Sequence, residues 1–96
     1  MSKLITVFCD TIVNIGSPKD FYTKEDSLLF INKLEKKTKH TVKYVKYIKD
    51  NNKIPSLTFD LHVKYKGYNE IYRFTIVSLE KEIIIGFTDL TIEYTN

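Results

Sequence analysis

The sequence predicts an α+β domain: one helix packed on a four- to five-stranded antiparallel meander sheet, in the order β-α-β-β-β-β. Three observations predict it. Residues 1–96 suffice for a single domain with one small core, and 43% hydrophobic with 28% charged residues is near the globular average. One stretch places apolar residues at helical spacing behind a helix-start signal. Most of the remainder alternates apolar and polar residues with period two, and three glycines and two prolines leave little for long loops.

Leu4 to Ile15 reads as the first strand. Ile5, Val7, Cys9, Thr11, Val13 and Ile15 share a face by period two, and the β-branched density supports it. Cys9 then sits with Ile5, Val7 and Val13 as a core residue. Gly16, Ser17 and Pro18 break the element. Thr23 is a favourable N-cap, Asp26 stands three residues on, and Leu28, Ile31 and Leu34, with Phe30, form an apolar stripe. The Lys-rich end suits a helix C-terminus, so the spacing predicts a helix over 23–37.

His40 to Asp50 fits either period, and its tyrosines and valines favour a strand. Leu57, Phe59, Leu61, Val63 and Tyr65 alternate with polar residues, Lys66 to Asn69 forms a turn, and Glu70 to Ser78 returns as a strand. Glu82 to Thr95 makes one long bent strand, with Gly86 at the bend or bulge. Tyr65, Tyr72 and Tyr94 fall at core positions, whereas Tyr22, Tyr47 and Tyr68 are candidate interface anchors. The layout is similar to that of the cystatin/monellin folds. The chain lacks a Gln-x-Val-x-Gly segment, so that likeness carries no function.

The composition narrows source and compartment. There is no Ala, Gln or Trp, one Arg stands against fourteen Lys, and Ile occurs twelve times. This points to an AT-rich coding background: a low-GC bacterium, its phage or plasmid, or a virus. Cys9 is the sole cysteine, so no intramolecular disulfide forms. The run Leu4 to Cys9 is too short for a signal peptide, and no apolar stretch approaches a membrane span. A cytoplasmic protein without membrane association is expected.

No catalytic, metal or cofactor constellation stands out. Cys9, His40 and His62 are far apart in sequence, the glycines are isolated, and Asp60 with His62 shares a polar strand face away from a core-facing Cys9. Glu80 and Glu82 flank Lys81 in a turn. The expectation is a protein with no enzymatic activity, no metal and no cofactor.

Charge layout is the distinctive feature. Residues 33–53 hold eight lysines against Glu35 and Asp50, while from Gly67 onward Arg73 and Lys81 face five carboxylates. The expected contact strip is Lys36, Lys37, Lys39, Lys43, Tyr44, Lys46, Tyr47 and Lys49. Size and composition suggest a small protein–protein inhibitor or modulator of the phage or mobile-element anti-defence kind, anti-CRISPR proteins among them. It would dock this strip on an acidic surface of a larger host protein. The alternative is a nucleic-acid-binding module, with lysines on the backbone and tyrosines stacked on bases. A homo-oligomer through the long last strand is a third expectation.

Overall fold

In the computed structural model, which describes residues 3–51 and 54–95, two helices precede a four-stranded antiparallel sheet. Helix α1 spans Lys3–Ile15, a 3-10 turn spans Pro18–Phe21, and helix α2 spans Lys24–Thr38. Strands β1 (Thr41–Ile48), β2 (Ser56–Tyr65), β3 (Tyr68–Ser78) and β4 (Ile83–Tyr94) follow as a simple meander in the order β1-β2-β3-β4. The α+β class holds. The expected order β-α-β-β-β-β does not, because its first element is a helix, and no fifth strand forms among the described residues. The cystatin/monellin layout falls with it.

The reason lies in which apolar residues α1 buries. As a strand, residues 4–15 would turn Val7 and Val13 inward; as a helix they bury Phe8 and Ile12, one turn apart, while Val7 and Val13 stay exposed. Leu4, Ile5, Cys9 and Ile15 pack partly against the same core. The larger side chains carry more apolar area out of water, so the helix wins. Strand propensity is largely a packing preference and gives way to such a choice. The Thr11 hydroxyl donates to the Val7 carbonyl at 2.9 Å, which satisfies it within the helix.

Helix α2 forms where the stripe predicts. The Thr23 hydroxyl accepts from the Asp26 N–H at 3.1 Å, and Lys39 ends the helix in the left-handed conformation, φ 61°. Phe30, Ile31 and Leu34 are its buried face. Phe21, from the 3-10 turn, lies 4.8 Å from the Phe30 ring.

The ambiguous segment 40–50 is strand β1. The two-residue turn Lys66–Gly67, with Gly67 at φ 87°, fixes β2 against β3, so Leu57, Phe59 and Leu61 face Ile76, Phe74 and Tyr72 beneath the helices. Register shifts make Val45 an extra residue in β1 and Thr88 an extra residue in β4. The bulge in the last strand therefore falls at Thr88, two residues beyond Gly86, and the Thr88 hydroxyl donates to the Arg73 carbonyl at 3.3 Å.

The helix layer is shorter than the sheet. Fifteen residues of helix reach about 22 Å, whereas the 11 residues of β3 reach about 36 Å, and the molecule is 44 Å long. The end of the sheet at the β2–β3 turn is uncovered. Tyr72 is buried as expected, at 1% exposure, but Tyr65 and Tyr94, also expected in the core, stand 41% and 79% exposed there. Among the described residues no helix is long and apolar enough to cross a membrane.

Candidate functional site

The basic segment occupies one edge of the molecule. Lys36 and Lys37 fill the last turn of α2, where cations complement the helix dipole. Lys39, the C-cap, donates its N–H to the Glu35 carbonyl at 2.9 Å. The chain then enters β1, which among the described residues pairs only with β2 and is thus an edge strand.

Alternation splits the predicted strip between two faces. Lys43 lies opposite Asp60 and Lys46 opposite Thr58, on the open face of the sheet. Tyr44 and Tyr47 lie opposite Phe59 and Leu57, on the face covered by the helices. The extra residue Val45 produces the offset: without it, Lys46 would share the tyrosine face.

Two residues of the strip are tied down. The Tyr47 hydroxyl donates to the Phe21 carbonyl at 2.6 Å, and burial, aided by Glu25 and Asp26, holds it protonated. The Lys49 ammonium donates to the Tyr22 carbonyl at 2.6 Å and lies 5.8 Å from the Tyr22 ring centre. The Tyr44 ring receives the Lys24 ammonium at 5.1 Å. The structure thus brings together Lys43 with Lys46 on the open face, and Tyr44, Tyr47 and Lys49 beside the start of α2. Lys36, Lys37 and Lys39 cluster at the other end of that helix. Lys53 lies outside the described residues. Of the other anchor candidates, Tyr22 is exposed and Tyr68 stacks on Tyr65 at 4.9 Å.

The open face also holds an ion pair with no place in the predicted strip. Arg73 donates to both Asp60 oxygens, at 2.8 and 2.9 Å, and Asp60 with Asp89 holds the guanidinium more firmly charged. A shallow depression of about 220 Å³ is bounded by Asp60, Ile71, Arg73, Asp89 and Thr91. Arg73 is already neutralised there, with Asp89 adding negative charge, so the depression does not attract anions. The turn expected over 66–69 would set Asp60 opposite Thr75; the shorter two-residue turn at Lys66–Gly67 sets it opposite Arg73 instead.

Other polar groups are dispersed. Asp60 and His62 are on the open face, and Cys9 is on α1, across the sheet. Cys9 is only partly buried, which departs from the core position expected of it. Burial and then Asp10 push its thiol pKa up, which favours the protonated thiol over the thiolate. Burial and then Lys43 push the His62 pKa down, against weaker opposition from Asp60 and Glu93. Among the described residues no three His, Cys, Asp or Glu side chains group as metal ligands.

One edge residue faces α2 instead of solvent. The Val42 N–H, which points away from β2, donates to the Glu35 carboxylate at 2.8 Å. No family model, curated protein or solved structure matches this chain.

Proposed function

We propose that this protein is a small non-enzymatic binding protein. In this reading it is an inhibitor or modulator of the phage or mobile-element anti-defence kind, anti-CRISPR proteins included, and its basic edge docks on an acidic surface of a larger host protein. The AT-rich composition and the small size support the class. The observation that supports the surface is the separation of charge across the sheet. Lys43 and Lys46 stand three strands from Asp89 and Glu93. That is about 14 Å at roughly 4.8 Å per strand, beyond a screening length of about 8 Å at physiological salt. Asp60, opposite Lys43, is occupied by Arg73. The lysines of this edge therefore present a positive field that the acidic strand does not cancel.

Protein docking fits the tyrosines better than nucleic-acid binding does. A stacking platform needs a ring free to receive a base, whereas Tyr47 packs against the core with its hydroxyl bonded and Tyr44 already carries an ammonium.

The test uses two charge-reversal variants, Lys43→Glu with Lys46→Glu and Lys36→Glu with Lys37→Glu and Lys39→Glu, as bait in affinity capture beside the wild type. Both sets are solvent-exposed, so the substitutions bury no charge, and circular dichroism of each variant checks that it is folded before capture. A host protein retained by the wild type and lost from either variant is the expected result. Retention unchanged in both overturns the basic edge as the docking surface. A parallel salt titration on single- and double-stranded oligonucleotides separates the two classes: binding that weakens steeply with salt would favour nucleic acid.

A further inference from the structure

We propose that β4 is a self-pairing edge. Two copies of this chain join β4 to β4, antiparallel, about a two-fold axis between Thr88 and Asp89, giving one continuous eight-stranded sheet. This does not rest on the basic edge, which lies at the opposite side of the sheet.

The two edges differ in what guards them. Strand β1 carries Lys43 and Lys46, a bulge, and a carboxylate on its Val42 N–H, all of which discourage strand addition. Strand β4 has twelve residues, no lysine and no proline. Its guards are the bulge at Thr88 and the carboxylates of Asp89 and Glu93, and each is accommodated by one register of self-pairing.

The hydrogen-bond phase defines that register. The Thr95 N–H donates to the Gly67 carbonyl, so Thr95, Glu93, Thr91 and Asp89 aim their backbone groups at β3, leaving those of Tyr94, Ile92 and Leu90 on the free edge. At the other end, the Ser78 N–H donates to the Pro55 carbonyl, which turns Val77, and hence its partner Ile84, inward across β3 and β4. Ile83, Ile85 and Phe87 therefore face outward. The extra residue at Thr88 changes the phase from odd to even numbers between the two halves. Only one antiparallel register then matches outward groups along the whole strand: Ile83 with Tyr94, Ile85 with Ile92, and Phe87 with Leu90 of the second copy.

The side chains agree with this register. All three pairs are apolar and lie on the face of the sheet that carries the helices, where cross-strand pairs stabilise a sheet. Phe87, Leu90, Ile92 and Tyr94 are 37%, 40%, 42% and 79% exposed in the single chain, and pairing covers them. On the open face Asp89 meets Thr88 and Glu93 meets Ile84, so no carboxylate is directly opposite another, and the two Asp89, diagonal to each other across the axis, each lie opposite their own chain's Arg73. A shift by two residues would set Glu93 against Glu82. The pattern is self-complementary, which identifies the occupant as a second copy of this chain.

The test is sedimentation of the full chain over a wide concentration range, beside Leu90→Lys and Ile92→Lys. The wild type is expected to reach twice the 11.3 kDa chain mass, and each lysine variant to remain at the chain mass. Register is read separately in a Cys9→Ser background, with Ile85→Cys on one preparation and Ile92→Cys on another. Under diamide they should cross-link when mixed and not singly, because paired Cα atoms about 5.5 Å apart suit a disulfide. A wild type that stays at the chain mass at every concentration overturns the proposal. So does growth beyond two copies, dimerisation persisting in folded lysine variants, or equal cross-linking by one preparation alone. If a lysine variant fails to fold, the cross-linking arm decides.

Discussion

Gly16 sits where a side chain has no room. A Cβ there would lie 2.9 Å from the Ile12 carbonyl oxygen, 3.1 Å from the Phe30 ring and 3.3 Å from Ile83. These are backbone and packed core atoms, which yield little. Gly16→Ala should cost about 1–3 kcal/mol through overpacking. Gly86→Ala meets only the Thr75 carbonyl at 3.7 Å and should stay within about 0.5 kcal/mol of wild type. Urea unfolding of both variants checks the contrast. His62 gives a pH-dependent prediction. Its pKa is lowered from 6.5 by burial and then Lys43, so below about pH 6.5 the unfolded chain takes up more protons than the folded one. Stability is whole above that value and declines as pH falls through it toward the folded pKa. His62→Asn should therefore lose less stability than wild type between about pH 7.5 and pH 5, by denaturant unfolding at each pH. Equal losses would mean that the half-buried imidazole makes no contribution.

At the scale of elements, α1 is the informative failure. Residues 4–15 satisfy periods of 2 and 3.6 at once, and short apolar runs of that kind are decided by what they pack against. Nothing in the local pattern tells that α2 alone is too small to cover the sheet, or that Phe8 closes edge-on against Tyr72 and Phe74. The helix makes a prediction that the strand reading reverses. Phe8→Ala should cost about 3–5 kcal/mol, whereas Val7→Ala and Val13→Ala, both at exposed positions, should stay within about 0.5 kcal/mol. Thermal and urea unfolding of the three variants measures it. The other elements were legible because their signals were redundant. In α2 the cap, the apolar stripe and the Lys-rich end agree, and in β2 and β3 the alternation and a turn signal after Tyr65 agree, although the turn expected over 66–69 closes in two residues and β3 begins at Tyr68. The last bulge was read near Gly86 but occurs at Thr88, since strand pairing across Arg73 and Phe74, not local glycine content, locates it.

For the whole molecule, the sequence showed that charge is unevenly divided, and the meander order converts that into opposite edges of one sheet. It did not show how the strip divides. That depends on one inserted residue, Val45, which turns Lys46 to the open face and Tyr47 toward Phe21. Reversing Lys43 and Lys46 therefore tests the open side of the edge alone, and reversing Lys36, Lys37 and Lys39 tests the helix end. Loss of host-protein capture in the first with retention in the second would locate the contact on the sheet. The Glu35 carboxylate held on the Val42 N–H has a different reach. An antiparallel sheet lengthens one strand at a time, and each new strand needs a free donor row to begin on. Glu35 removes a donor near the start of that row, which makes β1 the less receptive edge; with β4 paired to a second copy as proposed, the assembly should stop as a finite particle instead of growing into a fibre.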